Sequence, residues 1–145
     1  VSQTQGWAEY CCVQQRYSYL RPRPGADFGH QTAANDDLLD YCRARGTPML
    51  AYSPLLSGAY TRADRAFPEQ YLGPDTDARL AALKAVCEEV GATANQVILA
   101  WMAQRDPAVI PLFGASTLDQ LQENMGALEV ELSAEQMAQL NDASA

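Results

Sequence analysis

The sequence predicts an α/β fold of about three parallel strands with crossover helices, and two observations predict it. Short apolar or β-branched runs alternate with longer segments whose apolar residues recur at helical spacing. A helix between two strands returns the chain to the same end of the sheet, so the strands that it joins are parallel. The predicted order is strand, helix, strand, loop, helix, helix, strand, helix, helix.

The first predicted strand covers 10–20, a run rich in aromatic, β-branched and cysteine residues. A loop rich in Pro and Gly follows and contains His30. Asn35 then offers a helix N-cap, residues 38–42 place apolar side chains at helical spacing, and Gly46 is suited to the C-terminal cap. This segment is therefore the first predicted crossover helix.

The second predicted strand covers 47–51, because this short apolar run follows the end of a polar helix. Tyr52 comes at its carboxyl end, and the stretch 51–58 reads Ala-Tyr-Ser-Pro-Leu-Leu-Ser-Gly. In parallel α/β folds the ligand crevice lies at such strand ends. The octapeptide alone fits a ligand site and an ordinary exit turn equally well.

The stretch 57–74 contains Gly, Pro and charged residues without periodicity, so it is predicted to be a long loop. Long loops in compact domains are often functional, and a lid or a cofactor-covering segment fits here. Arg62 and Arg65 are candidates to meet a nucleotide phosphate, because an acidic protein that binds an anion needs local positive charge. Surface solubility explains these two arginines equally well.

The remainder of the chain continues the alternation, and its helices begin at capping residues or end at a glycine. The predicted elements are a helix over 77–90 ended by Gly91, a helix over 93–104 capped by Thr93, a strand over 108–112, a helix over 118–127 and a final helix that begins at the Ser133 capping box. The turn 114–117 joins a strand to a helix N-terminus, where free backbone N–H groups favour a phosphate. A plain capped helix is the alternative for that turn.

Composition excludes several classes of protein. The net charge of −8 argues against a nucleic-acid surface, which needs a concentrated basic footprint. There is no apolar run long enough for a bilayer and no signal-like start, so we expect a cytoplasmic protein. The four cysteines lack metal-ligand spacing, which predicts buried, reduced thiols and no metal site. His30 is the only histidine, and it falls in a loop that we expect to be exposed.

With the strands placed, four segments together resemble the carboxyl-terminal part of the aldo-keto reductase family. They are Gln14 within Val-Gln-Gln-Arg-Tyr-Ser, the 51–58 strand end, the stretch 110–117, and the run from Gln120 to Asn124. The likeness covers nearly the whole chain. It implies a partial (α/β)8 TIM barrel, strands six to eight, with residues 1–145 as the carboxyl-terminal portion of the barrel domain.

The resemblance also implies a nicotinamide dinucleotide, NADPH or NADH, that reduces aldehydes and ketones. In the family pattern Tyr52 stacks on the nicotinamide, Gln14 binds its carboxamide, the loop after Tyr52 holds the pyrophosphate, and Ser116 to Asn124 hold the adenosine end. The implied cofactor-binding residues are Gln14, Tyr52, Ser53, Pro54, Leu55, Ser57, Gly114, Ser116, Gln120, Glu123 and Asn124.

Two departures from the family pattern limit these expectations. Gln120 stands where the family commonly has an arginine that pairs with the 2′-phosphate, which leaves the choice between NADP and NAD open. The family's catalytic Asp, Tyr, Lys and His lie on segments before the matched part, so no catalytic residue is assigned. We expect this chain alone to be inactive, and a missing amino-terminal segment to complete the site for a small carbonyl substrate. The alternative is a non-catalytic nucleotide-binding module that self-associates into an oligomer through its open strand edges.

Overall fold

The computed structural model describes residues 2–144 and shows the alternation of strands and helices that the sequence predicts. The elements are α1 (Ser2–Gln5), β1 (Val13–Arg16), α2 (Asp36–Arg45), β2 (Met49–Tyr52), α3 (Thr76–Val90), α4 (Ala94–Gln104), β3 (Val109–Leu112), α5 (Leu118–Met125) and α6 (Ala134–Asp142).

The three strands form one sheet in the order β1-β2-β3, and both pairings are parallel. This arrangement confirms the predicted fold class. Along β2, Met49 and Ala51 are fully buried and belong to the hydrophobic core, whereas Tyr52 is exposed. Since neighbouring side chains on a strand alternate between the two faces, one face of the sheet packs on the core and the other is open.

Strand β1 covers Val13–Arg16 only, so the prediction of a strand over 10–20 was wrong at both ends. β2 offers four paired residues, and the last bond of this ladder runs from the Tyr17 N–H to the Tyr52 carbonyl at 3.2 Å. Beyond it the chain turns inward and buries Tyr19 and Leu20 in the core. At the outer edge of β1 the Ala34 N–H bonds the Arg16 carbonyl at 2.8 Å, which covers the carboxyl end of that edge.

The point at which β1 begins to pair also decides which cysteines are exposed. Cys11 and Cys12 precede the first paired residue and are exposed, which corrects the prediction that all the thiols are buried. Cys42 on α2 is buried and Cys87 on α3 is half-buried. All four are free thiols.

The capping residues act as predicted. The Asn35 side chain accepts from the Leu38 N–H, and Gly46 ends α2 in the left-handed conformation with φ 63°. Thr93 and Ser133 each form a complete capping box, at α4 and α6. The helix predicted over 118–127 ends earlier, at Met125, because the chain tightens there into a 3-10 turn over Gly126–Glu129.

The long segment after β2 contains two 3-10 turns, Leu56–Gly58 and Glu69–Tyr71, and both contribute a buried residue to the hydrophobic core. The Tyr60 hydroxyl lies 2.7 Å from Ser18 Oγ and accepts from the Leu20 N–H at 3.0 Å. Tyr71 is buried. These contacts tie the segment to the chain that leaves β1, so both strand exits are fixed together.

Candidate functional site

A cavity of about 510 Å³ lies at the carboxyl ends of β2 and β3, and its volume is typical of small-molecule sites. Four parts of the chain meet there: the exit from β2 with the segment that follows it, the start of α4, the turn between β3 and α5, and one side of α5. The lining residues are Tyr52, Ser53, Pro54, Leu55, Ser57, Gly58, Thr61, Arg62, Arg65, Asn95, Leu112, Phe113, Gly114, Ser116, Gln120, Glu123 and Asn124. We call this cavity the strand-end pocket.

The strand-end pocket collects all but one of the residues that the sequence singled out as cofactor-binding. Gln14 is the exception. It pairs with Leu50 in the middle of β1 and is exposed. Because Gln14 and Arg16 are two residues apart and Arg16 pairs with Tyr52, Gln14 lies on the same open face of the sheet as Tyr52, one row further from the pocket.

The exit from β2 is a sharply turned segment that lines the pocket. Ser53, Leu56 and Ser57 have φ values of 59°, 47° and 58°. This left-handed region costs a non-glycine residue about 1 to 3 kcal/mol, so the surrounding contacts must hold it. One such contact is the bond from Ser18 Oγ to the Pro54 carbonyl at 2.7 Å. Backbone strain of this kind is concentrated at functional sites.

The turn before α5 forms the opposite wall. Thr117 is the N-cap, and its hydroxyl accepts from the Gln120 N–H at 3.2 Å. The Gln120 side chain returns toward the turn, where its Oε1 accepts from the Ser116 N–H at 2.8 Å. The structure confirms that this turn is a capped helix start, and it places Gly114 and Ser116 in the lining of the strand-end pocket, whereas phosphate binding there stays a prediction.

Two buried asparagines line the pocket with an unused acceptor. The side-chain oxygens of Asn95 and Asn124 are buried and have no hydrogen-bond partner within the described chain. The Asn95 Nδ2 group donates to Thr61 Oγ1 at 3.3 Å. Sequence reasoning missed Asn95, because it lies on the predicted α4 helix and only the packing of the 57–74 segment brings it to the pocket. A buried unpaired acceptor is costly unless a donor meets it.

Charged side chains of both signs surround the pocket. Arg62 and Arg65 line it, as proposed for phosphate contacts, and Glu123 lines it as well. Arg62 is paired with Asp64 through two bonds of 3.0 and 2.6 Å, and the hydrogen bonds from this guanidinium lower the pKa of the Asp64 carboxyl. Within residues 2–144 Arg65 makes no ion pair.

No complete acid–base set lines the strand-end pocket within the described residues, since neither lysine nor histidine is among them. His30 is exposed in its loop, as expected. Burial raises the pKa of Tyr19 to about 12 and also raises the pKa of Tyr60 and Tyr71, and none of these three phenols lines the pocket. In the part of the chain described, no group of three or more His, Cys, Asp or Glu side chains is placed to hold a metal ion.

A second cavity, of about 480 Å³, lies near Tyr17, Trp101 and Arg79, and none of the sequence-predicted site residues lines it. Arg79 there is committed to the fold, because its Nε donates to the Tyr19 carbonyl at 2.9 Å. None of the described helices is long and apolar enough to cross a membrane.

Parallel strands that carry a ligand-sized pocket at their carboxyl ends define an α/β protein, and the pocket lies where proteins of that class usually bind their ligands. The sequence model of the aldo/keto reductase family matches residues 2–145. The chain therefore belongs to the aldo/keto reductase family.

Individual relatives agree with this assignment. The chain is 32% identical over 108 residues to an uncharacterized oxidoreductase of Schizosaccharomyces pombe, a match that covers 74% of this chain and 30% of the yeast protein. It is 31% identical over 144 residues to pyridoxine 4-dehydrogenase of Escherichia coli, which covers 99% of this chain and 41% of that enzyme. Its matches thus span about 30 to 40% of these relatives' length.

A solved structure also matches. A thermostable aldo-keto reductase crystallised with the inhibitor epalrestat superposes with a TM-score of 0.58 at 29% sequence identity. The match covers 75% of this chain and 34% of that reductase. The three parallel strands and their helices thus correspond to part of an aldo-keto reductase barrel.

Proposed function

We propose that the strand-end pocket binds a nicotinamide dinucleotide, NADPH or NADH, and holds it for hydride transfer to an aldehyde or ketone. The observation that carries the proposal is the meeting of the β2 exit, the β3–α5 turn and α5 in one cavity of about 510 Å³. The β2 exit is far in sequence from the β3–α5 turn and α5, which follow each other along the chain. The family pattern assigns all three to the same cofactor.

In this proposal the nicotinamide lies against Tyr52. The Tyr52 side chain is 40% exposed and stands on the open face of the sheet. Gln14 lies on the same face, one row away, where its amide is available to the carboxamide. An aromatic ring that stays partly exposed in a folded protein offers a flat surface for stacking.

The pyrophosphate occupies the strained exit from β2. Backbone N–H groups in consecutive left-handed or turn conformations form a concave anion site, and Leu56 and Ser57 are two consecutive left-handed residues. Arg65 supplies positive charge to the pocket lining and forms no salt bridge within the described chain, although the neighbouring Asp64 carboxylate interacts with it. Arg62 adds a second guanidinium, which is shared with Asp64.

The adenosine end lies at α5. The buried side-chain oxygen of Asn124 has no hydrogen-bond donor among the described residues, and an adenine amino group is a donor that would satisfy it. Gln120 is neutral and its oxygen is already occupied by the Ser116 N–H. The adenosine end therefore lacks a cation for a 2′-phosphate at this position.

The pocket provides orientation and electrostatics but no proton donor for the carbonyl oxygen, since its described lining contains no suitably placed acid other than Glu123 and Tyr52, which the proposal assigns to the cofactor. We infer that this chain alone binds the dinucleotide without turnover. An amino-terminal segment of the barrel, with the family's Asp, Tyr, Lys and His, would supply the donor and the rest of the small carbonyl site.

The test is a titration of the 145-residue chain with NADPH and with NADH, followed by the emission of the dihydronicotinamide, and then a carbonyl-reduction assay. We expect saturable binding and no turnover. Arg65→Gln should weaken binding roughly tenfold, the usual size of one lost charge-assisted hydrogen bond. Arg45→Gln is the matched control, because Arg45 is an exposed arginine at the end of α2, outside the pocket. Absence of binding, or turnover of an aldehyde by the chain alone, would contradict the proposal.

The alternative function, a non-catalytic module that self-associates, is favoured by one observation. The open face of the sheet carries Ile110, which is 50% exposed, and Leu112, which is 37% exposed. Exposed apolar surface next to a strand edge promotes association between chains. Sedimentation equilibrium tests whether the 15.8 kDa chain forms oligomers. If the module is right, Ile110→Lys should disperse the oligomers. Leu128→Lys, at an exposed site on another element, should leave them intact. A monomer would exclude it.

A further inference from the structure

Cys11 and Cys12 form a pair of neighbouring thiols immediately before β1. Both residues are exposed, and the two Sγ atoms are 4.0 Å apart, with Cys11 as the donor of a thiol hydrogen bond to Cys12. The next residue, Val13, is fixed to the sheet by a bond of 3.0 Å from its N–H to the Pro48 carbonyl. The pair therefore sits on an anchored piece of backbone and faces solvent.

The geometry disfavours a disulfide between these two residues. Adjacent Cα atoms are about 3.8 Å apart, below the range of about 4.4 to 6.8 Å that unstrained disulfides adopt. The sulfurs would also have to approach from 4.0 Å to about 2.05 Å. A single bridging atom needs a smaller movement, because two bonds of about 2.3 Å that meet at an angle of about 100° place the two sulfurs about 3.5 Å apart.

An atom that bridges these two sulfurs can take only two ligands from the protein, so its chemistry must be complete with two thiolates. A closed zinc site takes four ligands, and the described residues contain no group of three or more His, Cys, Asp or Glu that could hold a metal ion. A trivalent arsenic atom that carries one organic substituent has two positions left, and it is strongly thiophilic. The number of thiols matches this chemistry, and the two sulfurs need to move closer by only about 0.5 Å from their separation of 4.0 Å.

We propose that Cys11 and Cys12 form a vicinal dithiol site for a monosubstituted trivalent arsenical. Two S–H bonds and the arsenic–oxygen double bond break, two arsenic–sulfur bonds form, and the oxygen leaves with both protons as water. Arsenic remains trivalent, so no oxidant or reductant is required. The interaction with the neighbouring Cys11 side chain raises the pKa of the Cys12 thiol. The site lies before β1, away from the strand-end pocket, and does not depend on the proposed function.

The test is the reaction of the intact chain with phenylarsine oxide, followed by intact mass and peptide mapping. We expect one phenylarsenic group per chain, with the loss of two hydrogens, on the peptide that contains Cys11 and Cys12. The adduct should survive an excess of a monothiol and should be removed by 2,3-dimercaptopropanol.

Single substitutions then show whether both thiols are needed. Cys11→Ser and Cys12→Ser should each weaken binding about 100-fold or more, because the second thiol acts at the high effective concentration of a tethered group. Both side chains lie outside the strand ladder, and Cys11→Ala and Cys12→Ala repeat the test if serine perturbs the fold. Cys42→Ala and Cys87→Ala are the matched controls and should bind as the wild type does. Equal binding by the wild type and by the Cys11 or Cys12 variants, an adduct on Cys42 or Cys87, or no adduct would overturn the proposal.

Discussion

The Arg16 guanidinium lies 5.3 Å from the centre of the Tyr52 ring. The two residues are register partners across β1 and β2. Arg16 is itself fixed, because its Nε donates to Gln31 Oε1 at 2.8 Å and the Phe28 ring lies 4.9 Å from its guanidinium. A cation over a ring at an exposed site contributes about 0.5 to 1 kcal/mol. The Tyr52 ring is thus oriented by the protein before any ligand binds.

Tyr52→Ala should weaken the binding of NADPH and of NADH roughly two- to tenfold, because a stacked aromatic pair contributes about 0.5 to 1.5 kcal/mol beyond its buried area. Isothermal titration calorimetry measures the change. Tyr41→Ala is the matched control, since Tyr41 is also an exposed tyrosine with an arginine, Arg45, at 5.9 Å from its ring, and it lies outside the pocket. An equal loss in both variants would show that the effect is not one of stacking at Tyr52.

Gln120→Arg should shift the cofactor preference toward NADPH. The new guanidinium would face the 2′-phosphate that only NADPH carries, and one charge-assisted hydrogen bond corresponds to roughly a tenfold change in the ratio of the two dissociation constants. The loss of the bond between Gln120 Oε1 and the Ser116 N–H affects both cofactors alike. Gln122→Arg adds the same charge to α5 outside the pocket, and there the ratio should stay unchanged. A shift of the same size in both variants would indicate a general charge effect.

Leu140→Ala should destabilise the fold by about 2 to 5 kcal/mol, because Leu140 on α6 is fully buried at 0% exposure and its truncation leaves a cavity. Leu128→Ala, at 73% exposure, should change the free energy of unfolding by less than about 0.5 kcal/mol. Urea denaturation of both variants and the wild type gives the comparison. A small effect at Leu140 would mean that α6 is not packed against α3 in solution.

The stability of the chain should fall as the pH rises from about 10 to about 12. Burial raises the pKa of Tyr19 from 10.0 to about 12, so the unfolded chain loses this proton first and the folded state is disfavoured through that window. The stabilisation of the folded state that comes from this pKa difference is fully present below pH 10 and amounts to about 2 to 3 kcal/mol. Tyr60 and Tyr71 shift in the same direction. Tyr19→Phe should flatten the slope of unfolding free energy against pH, and Tyr41→Phe, an exposed tyrosine, should not. An unchanged slope in Tyr19→Phe would contradict the burial of that phenol.

The sequence predicted the elements and most of the pocket because the relevant signals are local. Asn35, Thr93 and Ser133 cap their helices through side-chain bonds within three residues, and these patterns can be read directly from the chain. The pocket residues after β2 and β3 follow from the rule that parallel strands present their carboxyl ends at one edge.

The parts that could not be predicted depend on contacts between distant segments. The short extent of β1 is set by its four-residue partner β2, and the sequence of 10–20 does not show where that pairing stops. Asn95 enters the pocket only through Thr61, which lies 34 residues earlier in the chain. The exposure of Cys11 and Cys12 has the same origin, since it depends on where the ladder begins.

The measurement that tests the central claim most directly is the mapping of amide chemical shifts in the ¹⁵N-labelled chain during a titration with NADPH. The account predicts saturable shifts at residues 52–58 and 112–124, the segments that line the strand-end pocket, and little change around Arg79 and Trp101 at the second cavity. Shifts that cluster at the second cavity, or none at the strand ends at saturating NADPH, would contradict it.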